Sequence, residues 1–149
     1  MRRFALLAAV AFCVLPGDVQ AQTQQQRPAA AQTSTIARLA LPERPQRSTD
    51  PEQETLALQW AETLGFNCRG HEMWRWQFFE DDFPRAQTIV NAGDRAFRDR
   101  GYNVTQLPVE IDTVTAMQAR AAQGAADANI LALWYVSETG VDLTLCRLR

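Results

Sequence analysis

Residues 50–65 have the apolar spacing of a helix, with a start signal and a stop signal. Asp50 is a favourable N-cap, Pro51 suits the first helical position, and Gly65 ends the pattern. Between them, apolar residues recur three and four positions apart: Leu56, Ala57, Trp60, Ala61 and Leu64. The pattern predicts an amphipathic helix at the start of the folded part of the chain.

Apolar and polar residues then follow strand patterns at four places. The predicted strands are His71–Phe79, Val104–Ile111, Ile130–Ser137 and Val141–Leu148. Pro108 places the second strand at a sheet edge or at a bulge, and the third is apolar on both faces, as interior strands are. A turn at Thr139-Gly140 would join the last two and align Trp134 and Val136 with Val141, Leu143 and Leu145 on one face.

Two more helices are predicted between these strands. The second begins at Asp81-Asp82 and ends at Gly101, and an alanine-rich third runs from Asp112 or Thr113 to about Asp127. The order is α-β-α-β-α-β-β. Strands joined through helices are expected to be parallel and the last strand antiparallel. The expected fold is an α+β (α/β two-layer) domain, with helices packed on a four-stranded mixed sheet.

The first 21 residues have the pattern of a secretory signal peptide. Arg2 and Arg3 precede a run of twelve apolar residues, and Val19-Gln20-Ala21 resembles a cleavage site. The alternative, a membrane anchor, would need a longer apolar run to cross a core about 30 Å thick. We therefore expect export to the periplasm or the exterior, with no membrane span after cleavage.

Residues 22–49 differ in composition from the rest. They contain six glutamines, three prolines and no aromatic residue. Such a segment buries too little apolar surface to offset the entropy of ordering. We expect a flexible tail over residues 22–49 and a single domain over residues 50–149.

Cleavage would leave two cysteines, Cys68 and Cys146, because Cys13 lies in the leader. Two cysteines in an exported chain predict one disulfide, and two buried thiols are the alternative. The disulfide would connect the start of the first strand to the end of the last. It favours a strand order that brings these two together, or a Cys68 segment folded across one face.

Charge excludes some partners and some chemistry. All 15 basic residues are arginine, so reactions that need a lysine are excluded. Residues 50–149 carry nine arginines against fifteen acidic residues, which argues against nucleic acid as a partner. No dinucleotide, Walker or G-x-S-x-G pattern occurs, so we expect no cofactor.

Acidic residues follow the predicted parallel strands, where ligands bind in sheets of that kind. Glu80, Asp81, Asp82 and Asp112 would offer oxygen ligands for Ca²⁺ or Mg²⁺. Asp82 and Asp112 also fit as helix caps, and this second interpretation is the stronger one. No catalytic residue is predicted, because His71 is the only histidine and both remaining cysteines are expected to be oxidised.

The predicted sheet faces suggest two binding surfaces. Trp74 and Trp76 would form either a platform for sugars or part of the core, and the core is favoured because aromatic residues dominate burial. The opposite face would carry a mixed polar surface. Its candidate binding residues are Arg75, Gln77, Tyr135 and Asp142.

Three functions are consistent with this pattern. The first is a non-catalytic exported domain that binds a protein or another envelope component, as an inhibitor or immunity protein does. The second is an exported hydrolase with an acidic, metal-assisted site, and the third is a carbohydrate-binding module. The first is favoured because the chain combines a leader, one predicted disulfide and no catalytic constellation.

The processing prediction can be tested on protein isolated from its own cells. Mass spectrometry is expected to show an N terminus at Gln22, and thiol titration under denaturing conditions is expected to show no free thiol. Two titratable thiols, or an intact leader, would contradict export.

Overall fold

The computed structural model describes residues 32–78, 82–109, 117–124, 129–137 and 139–149, and these residues form a six-stranded antiparallel sheet with two helices. The strands are β1 Gln46–Ser48, β2 Gly70–Gln77, β3 Asn103–Leu107, β4 Met117–Gln123, β5 Asn129–Ser137 and β6 Gly140–Arg147. The helices are α1 Pro51–Thr63 and α2 Phe83–Asp99. The strands lie side by side in the order β1-β2-β6-β5-β4-β3.

This sheet corrects the predicted four-stranded mixed sheet. Every neighbouring pair of strands is antiparallel. β2 and β3, which α2 connects, do run in the same direction, but β6, β5 and β4 lie between them. The expectation of a parallel neighbour was wrong because a crossover helix fixes the direction of the next strand and not its place in the sheet.

The predicted third helix is also corrected. Residues 117–123 form β4, and residue 124 is not helical. The other parts of that prediction, residues 112–116 and 125–127, lie outside the described residues, and they include Asp112 and Thr113. β4 pairs with β3 on one side and β5 on the other. Arg120 of this strand makes a buried ion pair with Asp94 of α2, with 3.0 Å between Nε and Oδ2. Alanine has the highest helix propensity, but differences in propensity are below about 1 kcal/mol per residue, and these pairings outweigh them.

From residue 32 onward, the expected flexible tail is packed on the domain. β1 pairs with β2, and Ala37, Leu39 and Leu41 are buried in the core. Residues 32–45, here called the N-terminal segment, form a loop in which the amide of Ser34 donates to the carbonyl of Leu39. Composition alone did not predict this, because a few buried apolar side chains are enough to order a segment that packs on an existing sheet.

Glu72 of β2 ties the N-terminal segment to the sheet. Its carboxylate accepts hydrogen bonds from the Ser34 hydroxyl at 2.7 Å, the Thr35 amide at 3.0 Å and the Thr35 hydroxyl. Burial would raise the pKa of Glu72, but the hydrogen bonds from Thr35 and Ser34 outweigh it and lower the pKa below its ordinary value. Glu72 therefore remains ionised although it is only 2% exposed.

The sheet is covered on both faces. On one face, α2 and the N-terminal segment pack over Trp134, Leu143 and the residues that share their face of the sheet. On the other face, Trp60 and Ala61 of α1 pack over Leu131, Leu133 and the residues aligned with them. The alternation predicted for β2, β5 and β6 assigns these faces correctly.

The start signals of the first two predicted helices are confirmed. The Asp50 side chain accepts from the amides of Glu52 and Gln53 at the start of α1, with Pro51 in the first turn. The Asp82 side chain accepts from the amide of Arg85 at the start of α2. Capping is a local interaction, so the sequence alone was enough to find it.

The predicted disulfide is present between Cys68 and Cys146, whose Cα atoms lie 5.1 Å apart. β2 and β6 are direct neighbours, and His71 lies opposite Cys146. Of the two arrangements the disulfide favoured, the structure has the one in which the first and last predicted strands lie together.

The β5–β6 hairpin pairs in a different register from the predicted one. Ser137 is opposite Gly140, so Gly140 lies in β6 and not in the turn as predicted. Trp134 is opposite Leu143 and Val136 is opposite Val141, whereas the predicted turn would have placed them opposite Leu145 and Leu143. The register changed by two residues, and a shift of two leaves every side chain on its predicted face.

Close packing of α2 on the sheet yields a stability prediction. A Cβ at Gly93 would lie 2.5 Å from Cζ2 of the fully buried Trp134. Gly93→Ala is expected to lower the free energy of unfolding by about 1–2 kcal/mol, because overpacking outweighs the helix propensity gained. Gly70→Ala is the control, since a Cβ there meets nothing within 4 Å. Equal urea midpoints for both variants would contradict the predicted contact.

Candidate functional site

The four polar residues predicted to bind a ligand line one cavity. Arg75, Gln77, Tyr135 and Asp142 border a groove of about 300 Å³ at the end of the sheet where α1 begins. A smaller, mostly apolar pocket of about 100 Å³ adjoins it beneath α1. Gln53, Tyr135 and Asp142 line both. The groove and the pocket together are called the α1 cleft.

The α1 cleft follows from the two local periodicities. Arg75, Tyr135 and Asp142 are on strands β2, β5 and β6, and alternation puts them on the face that α1 covers. The helix contributes Gln53, Leu56, Ala57 and Trp60, which share one helical face. The cleft lies where this face of α1 meets the sheet.

Arg75 and Asp142 form an ion pair at the mouth of the cleft. They are opposite each other on β2 and β6, with 2.7 Å between Arg75 Nε and Asp142 Oδ1. The second carboxylate oxygen, Oδ2, accepts from Arg75 Nη2 and from Gln53 Nε2, each at 3.4 Å. These contacts are long, and both charged side chains are partly exposed, so the pair still faces the cleft.

Burial is the largest influence on Asp142 and raises the pKa of its carboxyl above the ordinary value. The Arg75 guanidinium lowers this pKa without cancelling the effect of burial, and the Asp50 carboxylate raises it further. The folded protein therefore holds the Asp142 proton more tightly than the unfolded chain does. By itself, this group favours the folded state more as the pH falls.

The inner pocket is apolar. Its walls are Leu56, Ala57, Trp60, Met73 and Leu133. The Trp60 and Tyr135 rings contact each other with 5.6 Å between centroids, which fixes one side of it. Leu56 stands at the edge of the pocket and is 42% exposed.

The predicted metal residues do not assemble in the described part of the chain. Of the four, only Asp82 lies there, and its side chain caps α2. Glu80, Asp81 and Asp112 lie outside the described residues. No group of three metal-ligating side chains occurs among the residues that the structure describes.

His71 is not among the residues that line the α1 cleft. Its Nε2 is 3.0 Å from Oε1 of Glu54 at the surface. His71 is opposite Cys146 at one end of β2. Gln77 is at the other end, opposite Gly140, and Gly140 in turn pairs with Ser137. Six residues of strand, about 20 Å, separate these ends, so His71 is too far from Ser137 to contact it.

Trp74 and Trp76 belong to the core, as favoured from the sequence. They are 3% and 4% exposed, and the Trp76 indole N–H donates to the carbonyl of Pro42 at 2.8 Å. The N-terminal segment covers them together with α2. They do not form an exposed platform for sugars.

Some functional residues were missed by sequence reasoning. Gln53 is one turn before Leu56 on the same helical face, and that spacing was a usable signal. Glu72 alternates with Trp74 and Trp76 and so had to lie on the buried face, where an acid needs dedicated partners. Leu133 could not be assigned to a pocket before α1 was placed.

Comparisons with known proteins add no assignment. The chain matches no protein-family model, no curated protein sequence and no solved structure. Within the described residues, no helix is both long and apolar enough to span a membrane. The function is therefore argued from the site itself.

The ion pair at the cleft mouth makes a testable prediction about acidity. Arg75→Met is expected to raise the pKa of Asp142 further, because it removes the hydrogen bond and the positive charge that oppose burial. The pKa would be followed by carbon-13 NMR of the Asp142 carboxyl. Arg85→Met is the control, since Arg85 pairs with Glu43. An unchanged or lower Asp142 pKa in Arg75→Met would contradict the pairing.

Proposed function

We propose that this protein is an exported, non-catalytic binding domain whose α1 cleft receives an apolar side chain of a partner protein in the cell envelope. One observation carries the proposal. An apolar pocket of about 100 Å³ opens into a polar groove lined by Arg75, Gln77, Tyr135 and Asp142. A well-packed apolar centre with a polar rim is the usual anatomy of a protein interface.

The size of the pocket suits one side chain. An engineered apolar cavity of about 150 Å³ in another protein accepts benzene, so about 100 Å³ fits a branched aliphatic group. Leu56 stands partly exposed at the edge, where an entering side chain would cover it. Burying such an anchor contributes about 1.5–3 kcal/mol, which is the scale of an interface hot spot.

The groove suits the backbone around that side chain. Arg75 has donors, Asp142 Oδ2 accepts only long hydrogen bonds, and Gln77 is exposed beside them. A peptide has amide donors and carbonyl acceptors in alternation, and this mixed rim can satisfy both. A purely apolar rim could satisfy neither the donors nor the acceptors of a peptide, and a purely cationic rim could satisfy only the acceptors.

The chemistry of the mouth favours binding over catalysis. Arg75 holds Asp142 in an ion pair, and His71 is paired with Glu54 at the other end of β2. An activated nucleophile needs a hydroxyl or thiol hydrogen-bonded to a base. Among the described residues, neither the Asp142 carboxylate nor the His71 imidazole has such a partner; their contacts are to Arg75 and Gln53 and to Glu54.

Location in the envelope is part of the proposal. The leader pattern of residues 1–21 supports export, and the Cys68–Cys146 disulfide is of the kind that persists in oxidising compartments. Such a domain would act by occupying a surface of its partner, as inhibitors and immunity proteins do.

Position-specific photo-crosslinking in the source cells tests the proposal. A benzophenone amino acid would replace either Leu56, at the cleft edge, or Phe83, an exposed apolar residue on α2. We expect a discrete crosslinked protein from position 56 and none from position 83. The same product from both positions, or none from position 56, would contradict binding at the α1 cleft.

A pocket-filling variant provides the quantitative arm. Ala57 lines the pocket, so Ala57→Leu is expected to reduce affinity for the purified crosslinked partner at least about ten-fold, measured by calorimetry. Ala92→Leu on α2 is the matched control and is expected to bind as the wild type does. Equal affinity of both variants would overturn the pocket as the anchor site.

A further inference from the structure

Three arginines line a second groove, at the end where β2 begins. This groove has a volume of about 380 Å³ and is bordered by Arg47, Arg69 and Arg147, together with His71 and Glu72. It is called the arginine groove below. We propose that it binds a phosphate group, and that the disulfide determines the spacing of two of the three arginines.

The disulfide brings two of these arginines together. Arg69 directly follows Cys68, and Arg147 directly follows Cys146. The amide of Arg69 also donates to the carbonyl of Arg147 at 2.9 Å. The covalent link and this hydrogen bond hold two positively charged residues side by side at the end of the sheet.

Arg47 enters the groove from β1. β1 pairs with β2, and the guanidinium of Arg47 lies over the ring of Trp74 on β2, 5.7 Å from the ring centroid. This contact orients the side chain by a cation–π interaction without using its hydrogen-bond donors. Its nearest carboxylate in the described residues is Glu72, with 4.0 Å between Nη2 and Oε1.

The groove has little negative charge to offset the arginines. Among the residues that the structure describes, Glu72 is the only acidic one that lines it, and both oxygens of Glu72 already accept hydrogen bonds from Ser34 and Thr35. His71 is paired with Glu54. In the described part of the chain, Arg69 and Arg147 take part in none of the ion pairs.

Adjacent like charges are unfavourable unless an anion joins them. The concentration of arginine is unusual here, since residues 50–149 have nine arginines against fifteen acidic residues. Each guanidinium has five donors in a planar fork that matches the oxygens of phosphate. At about 380 Å³, the groove has the size of a small-molecule site, which leaves room for the group that carries the phosphate.

Nitrogen-15 NMR titration of the purified oxidised protein tests this inference. The probes are inorganic phosphate and glycerol 3-phosphate, each at constant ionic strength, with sodium chloride as the reference. We expect saturable shifts of the amides of Arg69, His71 and Arg147 with phosphate and not with chloride. Tighter binding of glycerol 3-phosphate would indicate a carried phosphate, and equal binding would indicate the free ion.

Paired variants make the result specific. Replacing both Arg69 and Arg147 by glutamine is expected to weaken phosphate binding at least about ten-fold, because charge-assisted hydrogen bonds are lost. Replacing Arg95 and Arg98, exposed on α2, by glutamine is the control and is expected to leave affinity unchanged. Equal loss in both double variants, or the same shifts with chloride, would overturn the site.

Discussion

The β5–β6 hairpin is apolar on both faces, and the rest of the structure follows from the need to cover it twice. Trp134 and Leu143 on one face are completely buried, as is Leu131 on the other. A sheet face of this kind is stable only against another layer. α2 and the N-terminal segment supply one layer and α1 supplies the other. The close approach of α2 at Gly93 shows how tightly the first of these packs.

The candidate binding site is a consequence of unequal cover. α2 and the N-terminal segment bury their face from Trp74 to Leu145, whereas α1 leaves part of its face open. At this opening, an apolar floor meets the Arg75–Asp142 pair. The side chains of Arg75 and Asp142 are 29% and 20% exposed, so the pair is partly solvated where the face is open.

Glu72 and the disulfide organise the other end of β2. Glu72 directs its charge inward to Ser34 and Thr35, which fixes the N-terminal segment on the core. The disulfide joins β6 to the chain just before β2 and brings Arg69 beside Arg147. The same end of the sheet therefore combines an internally satisfied carboxylate with arginines that face outward.

Patterns in the sequence predicted both helices, strands β2, β3, β5 and β6, the disulfide, and the face on which Arg75 and Asp142 lie. Caps, helix-ending glycines and two-residue alternation are local, so neighbouring residues suffice to specify them. Contacts between distant parts of the chain make 117–123 a strand, bring β1 into the sheet, and leave a pocket between α1 and Leu133. Those outcomes depend on partners distant in the chain, and differences in propensity below about 1 kcal/mol per residue cannot resist them.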